Sequence, residues 1–248
     1  MSDNYRNFFG FEKEPFASDI ALSEILETDD LLGVEERFAY AVRLGAVALV
    51  TGDVGSGKST ALRYAVGRLR PSEYRPLCVV ASSGSILELY RQILGELGSD
   101  TSSHSRATMV GRIQRQVRER ANNKSMKAVL VIDEASLLRL EVFRELHVIA
   151  QFDQDSTPLL PVILAGQSNL VDKLSYRDSL PLASRIVGCG HLEGSSRRDM
   201  EKYVTHHLNI AGVESNIFEP EAITAVHQGS GGLFRKANHL ARGALVAA

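Results

Sequence analysis

Long apolar runs, cysteines and an excess of either charge are all scarce in this sequence, and each scarcity excludes something. The 248-residue chain has two cysteines, Cys78 and Cys189. That is too few to staple a domain of this length, so a hydrophobic core must hold it together. Both sit among apolar or small residues, where buried thiols are expected. The longest apolar runs, Gly45 to Val50 and Leu159 to Ala165, fall far short of the ~20 residues that cross a bilayer. No membrane span is therefore expected. Met1-Ser2-Asp3-Asn4 carries acid in place of the basic opening of a secretory signal, which points to a cytoplasmic protein. The formal net charge of -2 excludes a globally basic nucleic-acid binder and confines any basic surface to a local patch.

What is present is an ordinary globular balance of 44% hydrophobic and 23% charged residues, which argues against disorder. No internal repeat or low-complexity tract occurs. Residues 1–28 read as irregular, with aromatics at Phe8, Phe9, Phe11 and Phe16. Asp30 is placed to cap a helix over 31–44. The continuous apolar run Ala46 to Thr51 suits a strand buried on both faces of a parallel sheet. Helical and strand patterns then alternate: helix 58–69, strand 77–81, helices 86–97 and 107–122, strand 128–132, helix 140–151 and strand 159–165. Such alternation predicts parallel βαβ units with helices on both faces. From about Gly194 the strand signals stop and helices are predicted at 196–210, 220–227 and 233–246. The expected fold is α/β, with an aromatic-rich segment at 1–28, a core at 29–192 and a small all-helical lid at 193–248.

Gly52-Asp53-Val54-Gly55-Ser56-Gly57-Lys58-Ser59-Thr60 contains the phosphate-loop pattern of Gly, four residues, then Gly-Lys-Ser. Average residue frequencies give a chance match over this length of roughly 1%. The glycines let the backbone curl so that successive N–H groups point at phosphate oxygens, and the following helix adds its positive end. Lys58 can reach the β- and γ-phosphates, while the Ser59 hydroxyl can ligate magnesium. The ligand expected is Mg-ATP.

Val129-Leu130-Val131-Ile132-Asp133-Glu134 supplies the partner motif. A buried strand ending in a carboxylate brings Asp133 to the strand's C-terminal edge, where open α/β sheets bind ligands. Asp133 would hold magnesium, and Glu134 stands where a general base can polarise the attacking water. Read alone, the pair could instead simply cap the next helix.

With these residues the chain resembles the AAA+ ATPases, and among them the ExeA-like family of the general secretion pathway. That family overlaps the TniB- and TnsC-like helpers of DNA transposition. The likeness runs from Phe9-Gly10-Phe11 and Pro15-Phe16 through both motifs and Val162-Ile163-Leu164-Ala165-Gly166-Gln167. It ends at Gly231-Gly232-Leu233-Phe234-Arg235, followed by Asn238 and Leu240. The family has proline where this chain has Phe234, a departure not expected to alter the chemistry. The resemblance implies three further roles. Gln167 matches the polar sensor that orients the water or γ-phosphate. Arg185, in Leu182-Ala183-Ser184-Arg185-Ile186, matches the segment carrying an arginine finger for a neighbouring subunit, with Arg177 in reserve. Arg235 matches the lid arginine that contacts the same phosphate. A finger acting in trans implies a homo-oligomer.

The purpose of the ATP is less legible. Between Arg106 and Lys127 lie Arg112, Arg115, Arg118, Arg120 and Lys124 against one acid, Glu119. Arg112, Arg115 and Arg118 are spaced by three, so they share a helix face opposite Val110, Ile113 and Val117. That stripe could neutralise phosphates of double-stranded DNA, or be an ordinary solvated face. Two functions are expected from it. One is a DNA-assembled switch that recruits a transposase or another protein. The other is an ATPase energising assembly of a secretion system. The family's secretion members continue into a membrane span and a peptidoglycan-binding region, and this sequence stops at Ala248, which favours the first. A small-molecule P-loop kinase is disfavoured by the Asp133–Glu134 pair and the helical lid. The His206-His207 pair has no partner at metal-ligand spacing.

Overall fold

The computed structural model describes residues 4–82 and 85–248, with the Lys124 side chain outside that description, as are Met1 to Asp3 of the N-terminal reading. In chain order the elements are α1 (Asn4–Phe9), α2 (Asp29–Leu44), β1 (Val47–Gly52), α3 (Lys58–Gly67), β2 (Tyr74–Val80), α4 (Ile86–Glu96) and α5 (Arg106–Lys124). There follow β3 (Lys127–Asp133), α6 (Leu140–Ile149), β4 (Val162–Gly166), α7 (Asn169–Ser175), α8 (Leu180–Ala183) and β5 (Ile186–Leu192). The chain closes with α9 (Arg197–Ile210), α10 (Pro220–Ser230) and α11 (Phe234–Ala247). Contacts divide it into two compact units. One comprises Asp30–Gly52 and Ala61–His191, the other Met1–Asp29, Asp53–Thr60 and Leu192–Ala248.

The first unit is built on a five-stranded sheet of order β2-β3-β4-β1-β5, with β1 parallel to β4, β4 to β3 and β3 to β2. Every residue of β1 and β4 is buried, as expected for central strands covered on both faces. Val47, Leu49, Leu77, Val79, Leu130, Ile132, Val162 and Leu164 share one core with Ile86, Ile93, Ile113, Phe143 and Leu146 of the helices.

Several features differ from the sequence reading, which held neither α7 nor α8. Strand β5 was hidden because Gly188 and Gly190 dilute its apolar pattern. The two cysteines are exposed, not buried. Cys78 lies on β2 and Cys189 on β5, the two edges of the sheet, where burial alternates along the strand. Each thiol falls on the uncovered side of its pleat.

In the second unit α9, α10 and α11 form the helical C-terminal region. Met200, Val204, Leu208, Ile223, Ala237 and Ala241 pack in one core with Tyr5, Phe11 and Phe16. The opening segment also holds α1 and a 3₁₀ turn at Leu22–Glu24, where irregular chain was expected. Its aromatics serve apolar packing, except Phe8, which is 75% exposed.

Candidate active site

Strand register sets which residues end together. Ile132 pairs with Leu164 and Leu164 with Leu49. Asp133 thus stands one residue further, level with Ala165 and Val50. Gly52 and Gln167 each follow the Thr51–Gly166 pair. Asp133, Gln167 and Gly52 therefore finish β3, β4 and β1 at the C-terminal edge of one sheet, the edge where ligands bind in open α/β folds. Asp133 and Gln167 are half-buried. The Asp133 carboxylate accepts the Glu134 N–H at 2.8 Å.

Glu134 is itself unusual. Its backbone is left-handed, with φ 53° and ψ 31°, a conformation that costs a non-glycine residue roughly 1–2 kcal/mol. Immediately after it runs a single 3₁₀ turn, Ala135–Leu137. That turn presses against the end of β4 so closely that a Cβ on Gly166 would come within 2.8 Å of the Ser136 nitrogen. Sequence reasoning missed Lys173 of α7, whose ammonium donates to the Ser136 carbonyl at 2.6 Å and the Leu138 carbonyl at 2.8 Å. No local pattern marks a contact of this kind. Also unforeseen was the buried Thr51 hydroxyl meeting His191 Nδ1 at 2.8 Å beside the end of β1.

The phosphate-loop segment Asp53–Thr60 leads into the first turn of α3, which carries no acidic residue and so leaves its positive end unopposed. Gly55 and Gly57 have φ of 88° and 100°, values that only glycine adopts readily. Lys58 is 6% exposed, and its ammonium donates to the Asp53 carbonyl at 2.7 Å, while Ser59 is exposed. The Ser56 hydroxyl is buried without a hydrogen-bond partner among the described residues. An orphaned buried donor, a curled glycine loop and a helix N-terminus together fit a phosphate chain. From α11, the Arg235 N–H donates to the Gly55 carbonyl at 3.3 Å. A Cβ on Gly57 would meet the Phe234 ring at 3.5 Å, so the side chain standing in place of the family's proline packs beside the loop.

The sequence profile of the AAA domain family matches residues 43–174. This chain is a member of the AAA family. As such it is a nucleotide-binding P-loop ATPase, and its likeness extends to the ExeA-like branch. General secretion pathway protein A of Aeromonas hydrophila is 29% identical over 98% of the chain, which spans 45% of that protein's length. Among solved structures, the Aeropyrum pernix ORC2 protein superposes with a TM-score of 0.68 at 14% identity, over 90% of this chain and 63% of that one. The Aeropyrum pernix ORC1 protein in complex with DNA gives 0.70 at 17% identity, over 94% and 63%. At such identities the structures show a shared AAA fold.

Two other nominated groups of this AAA chain are already engaged. Arg185 forms an ion pair with Asp155 and donates to the Ala150 carbonyl at 3.3 Å. Burial lowers its pKa. Asp153, Gln154 and Asp155 are all left-handed, so the carboxylate that holds Arg185 sits on a strained turn. Arg177 is exposed. On α5, Arg112 pairs with Asp100 at 3.0 Å and Arg118 with Asp153 at 3.0 Å. Arg120 donates to Gln116 and to the Leu97 carbonyl. Arg115 is exposed, and among the described residues no carboxylate pairs with it. Two of the three arginines of the expected stripe are thus paired with acids that helix periodicity could not reveal. No group of three or more metal-ligating side chains occurs among the described residues, and no helix there is long and apolar enough to cross a membrane.

Proposed function

We propose that this chain hydrolyses Mg-ATP as an oligomeric switch that assembles on duplex DNA and engages a transposase or similar protein. The observation that carries the hydrolytic part is the left-handed Glu134, held at the sheet edge directly after Asp133. Lys58 and the loop N–H groups from Gly55 to Ser59 bind the phosphates, with the Ser56 hydroxyl as an added donor. Magnesium, held by Ser59 and Asp133, would neutralise charge on the β- and γ-phosphates. The Glu134 carboxylate takes the proton of the attacking water, and Gln167 orients that water. Arg235 meets the charge on the transferring group from the lid. Arg185 does so from a neighbouring subunit, once released from Asp155, with Arg177 as the exposed alternative.

The DNA part rests on α5, where Arg115 is exposed and Arg112 and Arg118 flank it, and on the fold shared with a protein solved in complex with DNA. The likeness to a general secretion pathway protein supports the second reading, an ATPase that energises a secretion assembly. ATP turnover measured with and without duplex DNA, at low and moderate salt, separates the two. Stimulation by DNA that fades with salt supports the switch. Turnover indifferent to DNA at every salt concentration supports the protein-partner reading. Arg115→Glu with Asn122→Glu, on the same face and clear of the ion pairs, should abolish the stimulation and leave basal turnover intact.

A further inference from the structure

We propose that Lys173 is a positioning residue for Glu134, holding the turn that keeps its carboxylate in line with the attacking water. This rests on the reading of Glu134 as the general base. Glu134 lies in a left-handed conformation that the chain would leave if unconstrained, because right-handed or extended backbone is lower in energy by roughly 1–2 kcal/mol. Relaxation of that positive φ, a rotation about the Glu134 N–Cα bond, would redirect the side chain away from the sheet edge. The constraint comes from both sides of the turn.

Within the turn, the Glu134 carbonyl accepts the Leu137 N–H at 2.9 Å and the Ala135 carbonyl accepts the Leu138 N–H at 3.1 Å. The next acceptors, the carbonyls of Ser136 and Leu138, are taken by one ammonium, Lys173 Nζ, at 2.6 and 2.8 Å. Ser136 and Leu138 are buried, so these carbonyls cannot turn to water without moving the turn. From below, Gly166 leaves no room for the turn to sink, since a Cβ there would already meet Ser136 at 2.8 Å. Lys173 sits on α7, directly after β4, the strand that leads to Gln167. One lysine therefore couples the segment carrying the proposed base to the segment carrying the proposed water sensor. Lysine suits the task because a tetrahedral ammonium can satisfy two carbonyls at once from a partly buried position. Charge-assisted bonds of this kind are also stronger than neutral ones.

The test is a double-mutant cycle in the full chain. Lys173→Gln and Lys173→Arg are made alone and in the Glu134→Gln background, with kcat, KM, nucleotide Kd and thermal midpoint measured for each. Lys173→Gln should lower kcat by about tenfold or more, since small misplacement of a catalytic group costs that much, with KM and Kd changed less than about twofold. Lys173→Arg, which keeps the charge and the donors, should recover part of the loss. In the Glu134→Gln background Lys173→Gln should cost nothing further, because the group it positions is gone. An equal loss in both backgrounds, or a fall in nucleotide affinity matching the fall in kcat, would overturn the positioning role. So would unchanged turnover in Lys173→Gln. Wild-type turnover in Glu134→Gln alone would overturn the base assignment itself, and the proposal with it.

Discussion

The N–H of Arg235 donates to the carbonyl of Gly55 at 3.3 Å, so the helix carrying the proposed sensor arginine begins in contact with the glycine loop proposed to hold phosphate. The approach is close enough that a Cβ on Gly55 would lie 2.9 Å from the Cβ of Arg235. Gly55→Ala therefore meets two penalties, that clash and a φ of 88°, which disfavours alanine by roughly 1–2 kcal/mol. The expected outcome is a thermal midpoint lower by roughly 2–8 °C, together with weaker nucleotide binding. Arg235→Ala, which keeps the backbone contact, should spare stability and reduce turnover. Thermal scans beside titration with a fluorescent ATP analogue check both.

Loss of Lys58 and loss of Glu134 should separate binding from chemistry. Lys58→Ala removes the buried ammonium and is expected to abolish ATP binding. Glu134→Gln keeps the shape of the side chain and should bind ATP normally while turnover falls by about 10²–10⁴. Equilibrium binding and single-turnover hydrolysis on the two variants decide this, and equal turnover in Glu134→Gln and the parent would remove the base from the mechanism.

If Arg185 works across subunits, defects should complement. Arg185→Ala and Glu134→Gln each lower turnover alone. Mixed oligomers, however, contain interfaces where an intact Arg185 faces an intact Glu134. Mixing the two purified variants should restore part of the activity, whereas additive residual rates would show that Arg185 has only its structural pairing with Asp155. The same mixing with Arg177→Ala tests the exposed alternative.

The second unit should weaken in mild acid. His207 lies between Phe16 and Tyr203, with ring centroids 5.4 and 4.3 Å away. Burial, helped by the neighbouring His206 and opposed by Glu24, lowers its pKa from 6.5 to about 4. The folded state thus holds this imidazole neutral while the unfolded chain takes up a proton below pH 6.5. Stability is complete above that pH and declines as pH falls from 6.5 towards 4, by up to ~3 kcal/mol. Chemical denaturation at several pH values should show the slope, and His207→Phe should flatten it.

How much was legible beforehand follows from how local each feature is. The strand, glycine loop and helix around Lys58 are contiguous, so spacing alone revealed them, and the apolar strand ending at Asp133 was equally plain. Strand β5 was not, because two of its seven residues are glycine and an edge strand needs little apolar pattern. The ion pairs of Arg112 and Arg118 depend on Asp100 and Asp153, loop acids whose positions only the fold determines. Lys173 was invisible for the same reason. Its acceptors are backbone carbonyls more than thirty residues away in the chain, and a carbonyl leaves no trace in sequence.

The sheet's two edges each carry an accessible sulfur. From β2 to β5 the order crosses four strand spacings, which at ~4.8 Å each put the backbones of Cys78 and Cys189 roughly 19 Å apart. A disulfide needs Cα atoms within about 7 Å, so these two cannot close on each other. Oxidation can only join one molecule to the next. Since every molecule offers a thiol at each edge, the products would be open chains that grow with protein concentration, and a reducing buffer is required wherever a natural assembly of this protein is to be counted.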